Sequence, residues 1–143
     1  MNTQDEFALT GKLIISLNGE IVREVDNLVV TAGKEWVAAR MKNTSTVMTH
    51  MGIGTGTTAA VIGDTDLETS SVRQGLTTSG GTVVGAVITF ATSYAAGTGT
   101  GAITEAGIFT ASTSGTMLAR TVFGVVNKSA LDTMTISWAV TIS

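Results

Sequence analysis

Every second residue from Met134 to Ile142 is apolar. Met134, Ile136, Trp138, Val140 and Ile142 alternate with Thr135, Ser137, Ala139 and Thr141. Successive side chains of a strand point to opposite faces, so this spacing predicts a half-buried β-strand within Asp132–Ser143. Leu9–Leu17 and Glu20–Val25 are apolar-rich runs joined by Asn18-Gly19. That dipeptide tolerates positive φ at both positions and predicts a two-residue hairpin turn. Leu28-Val29-Val30 is a short apolar run. Val47 to Ile53 alternates again, with Val47, Thr49, Met51 and Ile53 on one face and Met48, His50 and Gly52 on the other. Ser70–Thr78 and Thr82–Thr92 read as strands on either side of Ser79-Gly80-Gly81. The second carries Val84, Ala86, Ile88 and Phe90 on one face and Val83, Val87 and Ala91 on the other, which predicts one continuous central strand. Ile103–Phe109 and Thr116–Phe123 follow around a polar turn at Ser112–Gly115, and Val125–Leu131 reads as a long connection into the last strand.

One stretch has a different period. Trp36, Val37, Arg40 and Met41 recur at helical spacing within Ala32–Lys42. Thr31 stands where an N-cap would, and Lys42-Asn43 supply a cation and a terminator. So short a helix needs tertiary packing to persist, so Trp36 and Met41 are expected to close one open end of a sandwich. The pattern predicts an all-β fold: a single-domain antiparallel β-sandwich or jelly-roll-like barrel of about eight or nine strands with one short α-helix. Residues 1–7 read as an exposed arm and 8–143 as the domain.

Composition narrows the classes. The chain has 143 residues, 43% hydrophobic and 13% charged, which excludes the profile of a disordered segment. It has 17 glycines and no proline, so its turns depend on glycine, Asn, Asp and Ser. No apolar run approaches the roughly 20 residues of a membrane span, and a soluble chain is expected. Asp5 and Glu6 stand where a secretory signal would be basic, which predicts synthesis and use without export. With no cysteine there is neither a disulfide framework nor a thiolate metal site. A net charge of −3 with scattered cations gives no footprint for nucleic acid or anionic lipid, and neither is expected as a partner.

Candidate chemistry is sparse. The Gly52–Thr58 loop lacks the Lys of a phosphate-binding loop and the spacing of a dinucleotide fingerprint. His50 is the only histidine, and a zinc site around it would need carboxylates to complete it. Asp64, Asp66 and Glu68 alternate like the first calcium ligands of an EF-hand, but the central Gly and closing Glu are missing, so turn-forming and capping are their expected roles. Glu105 and Arg120 lie in neighbouring predicted strands and fit either a buried ion pair or a contact across a subunit boundary. No catalytic constellation, cofactor or metal site emerges, and no enzyme is expected. Small hydroxyl faces, neutral loops and proline-free edges suit association instead. Asp5, Glu6, Phe7 and Tyr94 are the candidate interface residues.

Several segments in order carry a family resemblance: Asn27-Leu-Val-Val-Thr-Ala-Gly33, His50-Met-Gly-Ile-Gly-Thr-Gly-Thr-Thr-Ala59, Asp64-Thr-Asp-Leu67 with Arg73, Ile103-Thr-Glu-Ala-Gly-Ile-Phe109, and Gly115-Thr-Met-Leu-Ala-Arg-Thr-Val-Phe123 with the closing strand. From Asn27 onward the chain resembles small β-rich virion proteins of tailed bacteriophages, which are capsid decoration (cement) proteins or tail and fibre components. The resemblance implies a structural protein on the capsid exterior, made in the host bacterial cytoplasm. It implies the major capsid protein as partner, or tail proteins in the alternative, and a homo-oligomer, a trimer above all.

Overall fold

The structure, a computed structural model, describes residues 7–143. Ten strands form two five-stranded antiparallel sheets, so the predicted all-β sandwich holds with more strands than expected. The first sheet runs β2 (Glu20–Asp26), β1 (Leu9–Leu17), β10 (Met134–Ile142), β7 (Val87–Tyr94), β6 (Thr82–Val84). The second runs β3 (Leu28–Val29), β9 (Met117–Lys128), β8 (Gly101–Phe109), β4 (His50–Gly54), β5 (Ser70–Gly75). Among the described residues there is one helix, α1, which spans Thr31–Met41. Among the described residues no helix is long and apolar enough to cross a membrane.

The alternating stretch lies at the middle of the first sheet. β10 pairs with β1 on one side and β7 on the other, placing Trp138 opposite both Leu13 and Phe90. All three are buried, together with Met134, Ile136 and Val140. The second sheet contributes Met51, Ile53, Ile103, Ile108, Leu118 and Phe123 to the same cluster, so the apolar faces of the two sheets make one core. Tyr94 belongs to this core. It is fully buried, and its hydroxyl donates to the Met51 carbonyl at 2.6 Å, tying the first sheet to the second. Burial disfavours the phenolate and raises its pKa well beyond the ordinary tyrosine range.

The turn chemistry explains the first hairpin. Asn18 and Gly19 both have positive φ, 50° and 86°, as a type I′ turn requires. Asn18 is also fixed laterally, donating to Asp132 at 2.8 Å and accepting from the Thr133 amide at 3.0 Å.

Several strand boundaries differ from the sequence reading: β4 begins at His50 instead of Val47 and β5 stops at Gly75 instead of Thr78, and two further differences change the topology. The Thr82–Thr92 run is a hairpin, β6 and β7, folded at Gly85-Ala86. Gly85 has φ 58°, and Gly as the first central residue is the mark of a type II′ turn. Val83 and Val84 are therefore exposed on an edge strand instead of lying in a central one. Likewise β9 runs on to Lys128, because Val125–Lys128 continues the pairing with β8.

The helix lies one residue earlier than predicted. Val30 is its N-cap and Thr31 its first helical residue, with no side-chain cap. Its C-terminus closes as a Schellman motif: Asn43 has φ 60°, the Thr44 amide donates to the Ala39 carbonyl and the Asn43 amide to Arg40. Gly33 faces the Leu118 carbonyl so closely that any Cβ would collide with it, which lets α1 lie against β9. Trp36 is half-buried against the core and donates to the Thr46 carbonyl at 2.7 Å, as a plug should. Met41 does not share that role, being 87% exposed.

Candidate functional site: a buried ionic hub and an exposed apolar end

The Gly-Thr loop and the acidic cluster belong to one segment, residues 55–69, which connects β4 to β5 across the outer face of the second sheet. Leu67 anchors it by packing with Val30, Phe109 and Met117 in a small second cluster. Beneath it lie Glu105 on β8 and Arg120 on β9, 0% and 2% exposed. The Arg120 guanidinium donates twice to one Glu105 oxygen, Nη2 at 2.8 Å and Nε at 3.0 Å. Its Nη1 donates to Asp64 at 2.8 Å, and Nη2 also to the Thr58 carbonyl at 3.0 Å. Burial alone would lower the arginine's pKa, but hydrogen bonds to Glu105 and Asp64 outweigh it and raise the value, so Arg120 stays charged. Of the two arrangements open for Glu105 and Arg120, the chain adopts the buried pair within one subunit.

Glu105 also accepts from the backbone of the loop: Gly56 at 3.0 Å and Thr69 at 2.8 Å on one oxygen, Glu68 at 3.0 Å on the other. This explains the glycines. A Cβ on Gly56 would stand 2.6 Å from the Glu105 carboxylate, and one on Gly54 would strike it and the Thr69 carbonyl. The loop's amides thus converge on an anion, as in a phosphate-binding loop, but the anion is the protein's own carboxylate. Glu68 repeats the device at the surface, accepting from the Thr57 and Thr58 amides at 2.9 and 3.2 Å.

The remaining acidic groups also serve the fold. Asp64 accepts from the Val61 amide at 3.0 Å, the turn-forming role expected of it. Asp66 pairs with Arg73 at 3.4 Å. Arg73 lies over the Phe109 ring at 3.5 Å and donates to the Ala111 and Ser114 carbonyls, holding the β8–β9 turn. His50 is half-buried at the start of β4 and shares a 2.7 Å hydrogen bond with the Thr49 hydroxyl. Among the described residues no three His, Asp or Glu side chains gather as a metal site would require.

Two exposed carboxylates make stability sensitive to acid. Hydrogen bonds from the Thr58 hydroxyl and the Thr57 and Thr58 amides hold Glu68 below its ordinary pKa. Those from Asn18 and Ser129 do the same for Asp132. A carboxylate with a depressed folded pKa contributes stability that is present above its unfolded pKa and lost as pH falls through the folded one. The thermal midpoint should therefore fall between about pH 5 and pH 2, where the unfolded chain binds protons first. Calorimetry across that range checks this, with Asp132→Asn expected to flatten part of the decline; an unchanged midpoint down to about pH 3 would refute it.

The surface differs from this ionic hub at one end. On one side of α1, Phe7, Leu9, Val37 and Met41 border an open groove of about 510 Å³. On the other, Leu9, Trp36, Val37, Val83 and Ile142 border a slot of about 210 Å³ floored by Phe90 and Val140. Leu9 and Val37 line both, so the two form one apolar surface. Phe7, Met41 and Val83 are each more than 60% exposed there, and contiguous apolar exposure of this kind marks interaction sites.

The predicted interface residues part company. Phe7 lies on this surface, whereas Tyr94 is interior and presents nothing to a neighbour. Asp5 and Glu6 lie outside the described residues. Sequence reasoning missed Val83 and Val84 because a turn without Asn-Gly was hidden in a β-rich run. Compared with known proteins, the chain matches no family model, no curated protein and no solved structure.

Proposed function

We propose that this chain is a non-enzymatic structural subunit that acts through surface contact, and that its assembly is the virion of a tailed bacteriophage. In this reading it is a capsid decoration protein that binds the major capsid protein on the outer shell and reinforces it by bridging capsomers. The resemblance in the ordered segments supplies the virion. The contrast between a satisfied ionic hub and an exposed apolar end carries the reading of a contact protein. The described acidic cluster is engaged with the fold's own amides and arginines, whereas Phe7, Met41 and Val83 lie open. Weak contacts repeated over a lattice bind tightly in sum, so each copy needs only a modest surface.

Gel densitometry of purified virions tests this. A copy number comparable to the major capsid protein is expected, and a handful of copies per particle overturns the capsid placement. Immunogold label confined to the tail would assign the chain to a tail or fibre-attachment structure instead.

A further inference from the structure

We infer that the exposed apolar end binds a second copy of this chain, with β6 pairing antiparallel to its own counterpart across a two-fold axis. The inference deepens the assembly reading, on which it rests, by naming the first partner of that surface. Its starting point is the edges of the two sheets. β2 is protected by Glu20, Arg23, Glu24 and Asp26 and by a register shift opposite Ile15 and Ser16. β5 carries Arg73, and β3 is two residues long with Val29 buried. These are the devices that keep an edge from pairing with another chain. β6 shares only shortness with them, being three residues long: Thr82, Val83 and Val84 are uncharged and exposed, without proline or bulge.

The occupant follows from complementarity. An uncharged edge beside an apolar slot repels a charged strand through desolvation and accepts one that is itself neutral and apolar. Of the edges the described residues offer, β6 matches that requirement best, so the complementary surface is its own copy. Antiparallel pairing about a two-fold axis sets Val83 against Val83 and Thr82 against Val84, and joins two five-stranded sheets into one of ten. Three residues supply few main-chain bonds. The adjoining slot at Trp36, Val83 and Ile142 adds apolar area on both sides of the axis, and a self-complementary contact of this kind closes at two copies. The resulting unit is a two-fold dimer in place of the trimer that the resemblance implies.

The absence of cysteine makes the test direct. Sedimentation of the full chain should show a monomer–dimer equilibrium. Val83→Lys should weaken it by about tenfold or more through like charges set opposite each other, while Glu24→Lys on the β2 edge leaves it unchanged. Val83→Cys should oxidise to a covalent dimer, because facing residues of an antiparallel pair stand about 4.5–5.5 Å apart, within disulfide reach. Circular dichroism of each variant confirms the fold. A chain that stays monomeric at all concentrations overturns the inference, as does a dimer that Val83→Cys fails to cross-link. A monomer whose particle binding is lost in Val83→Lys also overturns it, since the surface would then hold a different protein. A monomer found at high copy number in virions would remove the dimer and leave the function intact. A cross-linked dimer absent from virions would do the reverse.

Discussion

Glu105→Ala should lower the free energy of unfolding by about 3–5 kcal/mol, the range for removing one partner of a buried ion pair. Two costs combine. Arg120, 2% exposed, keeps its charge but retains only Asp64 as counter-ion. The Gly56, Glu68 and Thr69 amides lose their acceptor at the same time. Urea denaturation measures the loss, and hydrogen exchange should show those three amides exposed before the core strands. Arg120→Met in the same background should recover part of the loss, because it removes the stranded charge. Unchanged stability in Glu105→Ala would mean that the hub does not hold the 55–69 loop.

Trp138→Ala should cost a similar amount, about 3–5 kcal/mol, for a different reason. The indole is fully buried between Leu13 and Phe90, both fixed in ladders that pair β10 on each side, so the space it leaves cannot collapse. Among the described residues its Nε1 has no hydrogen-bond partner. Trp138→Phe should therefore be far milder, since it keeps the ring and removes an unpaired buried donor. Denaturant midpoints that rank Phe above Ala would show that packing, not the N–H, makes this position matter. Equal losses would contradict that.

The contrast between these two sites shows what the sequence discloses. Trp138 was legible because strand periodicity is local, and the same is true of the Asn18-Gly19 turn and of helix α1. The Glu105 hub was half legible: opposite charges on neighbouring strands suggested a pair, but not its link to the Gly-Thr loop. That link joins Gly56 to Glu105 across 49 positions, and no local pattern encodes it. The glycines read only as a loop without phosphate-binding features and are needed for close approach to a carboxylate. The β6 edge was misread for a third reason. Val83 and Val84 have strand character whether buried or exposed, so only the turn at Gly85-Ala86 decides which they are. Tyr94 failed in the opposite sense: expected at an interface, it lies inside, where β7 pairs it with Met134.

The pairing of β10 between β1 and β7 also sets the order in which the molecule can form. Its neighbours in the sheet begin far earlier in the chain, at Val87 and Leu9, so the slot at the centre stays empty until residue 142 has emerged from the ribosome. A growing chain can close the Asn18-Gly19 hairpin and most of the second sheet, but not the first. Folding should then be slow, with the flanks of the unfilled slot exposed to other nascent chains until β10 arrives.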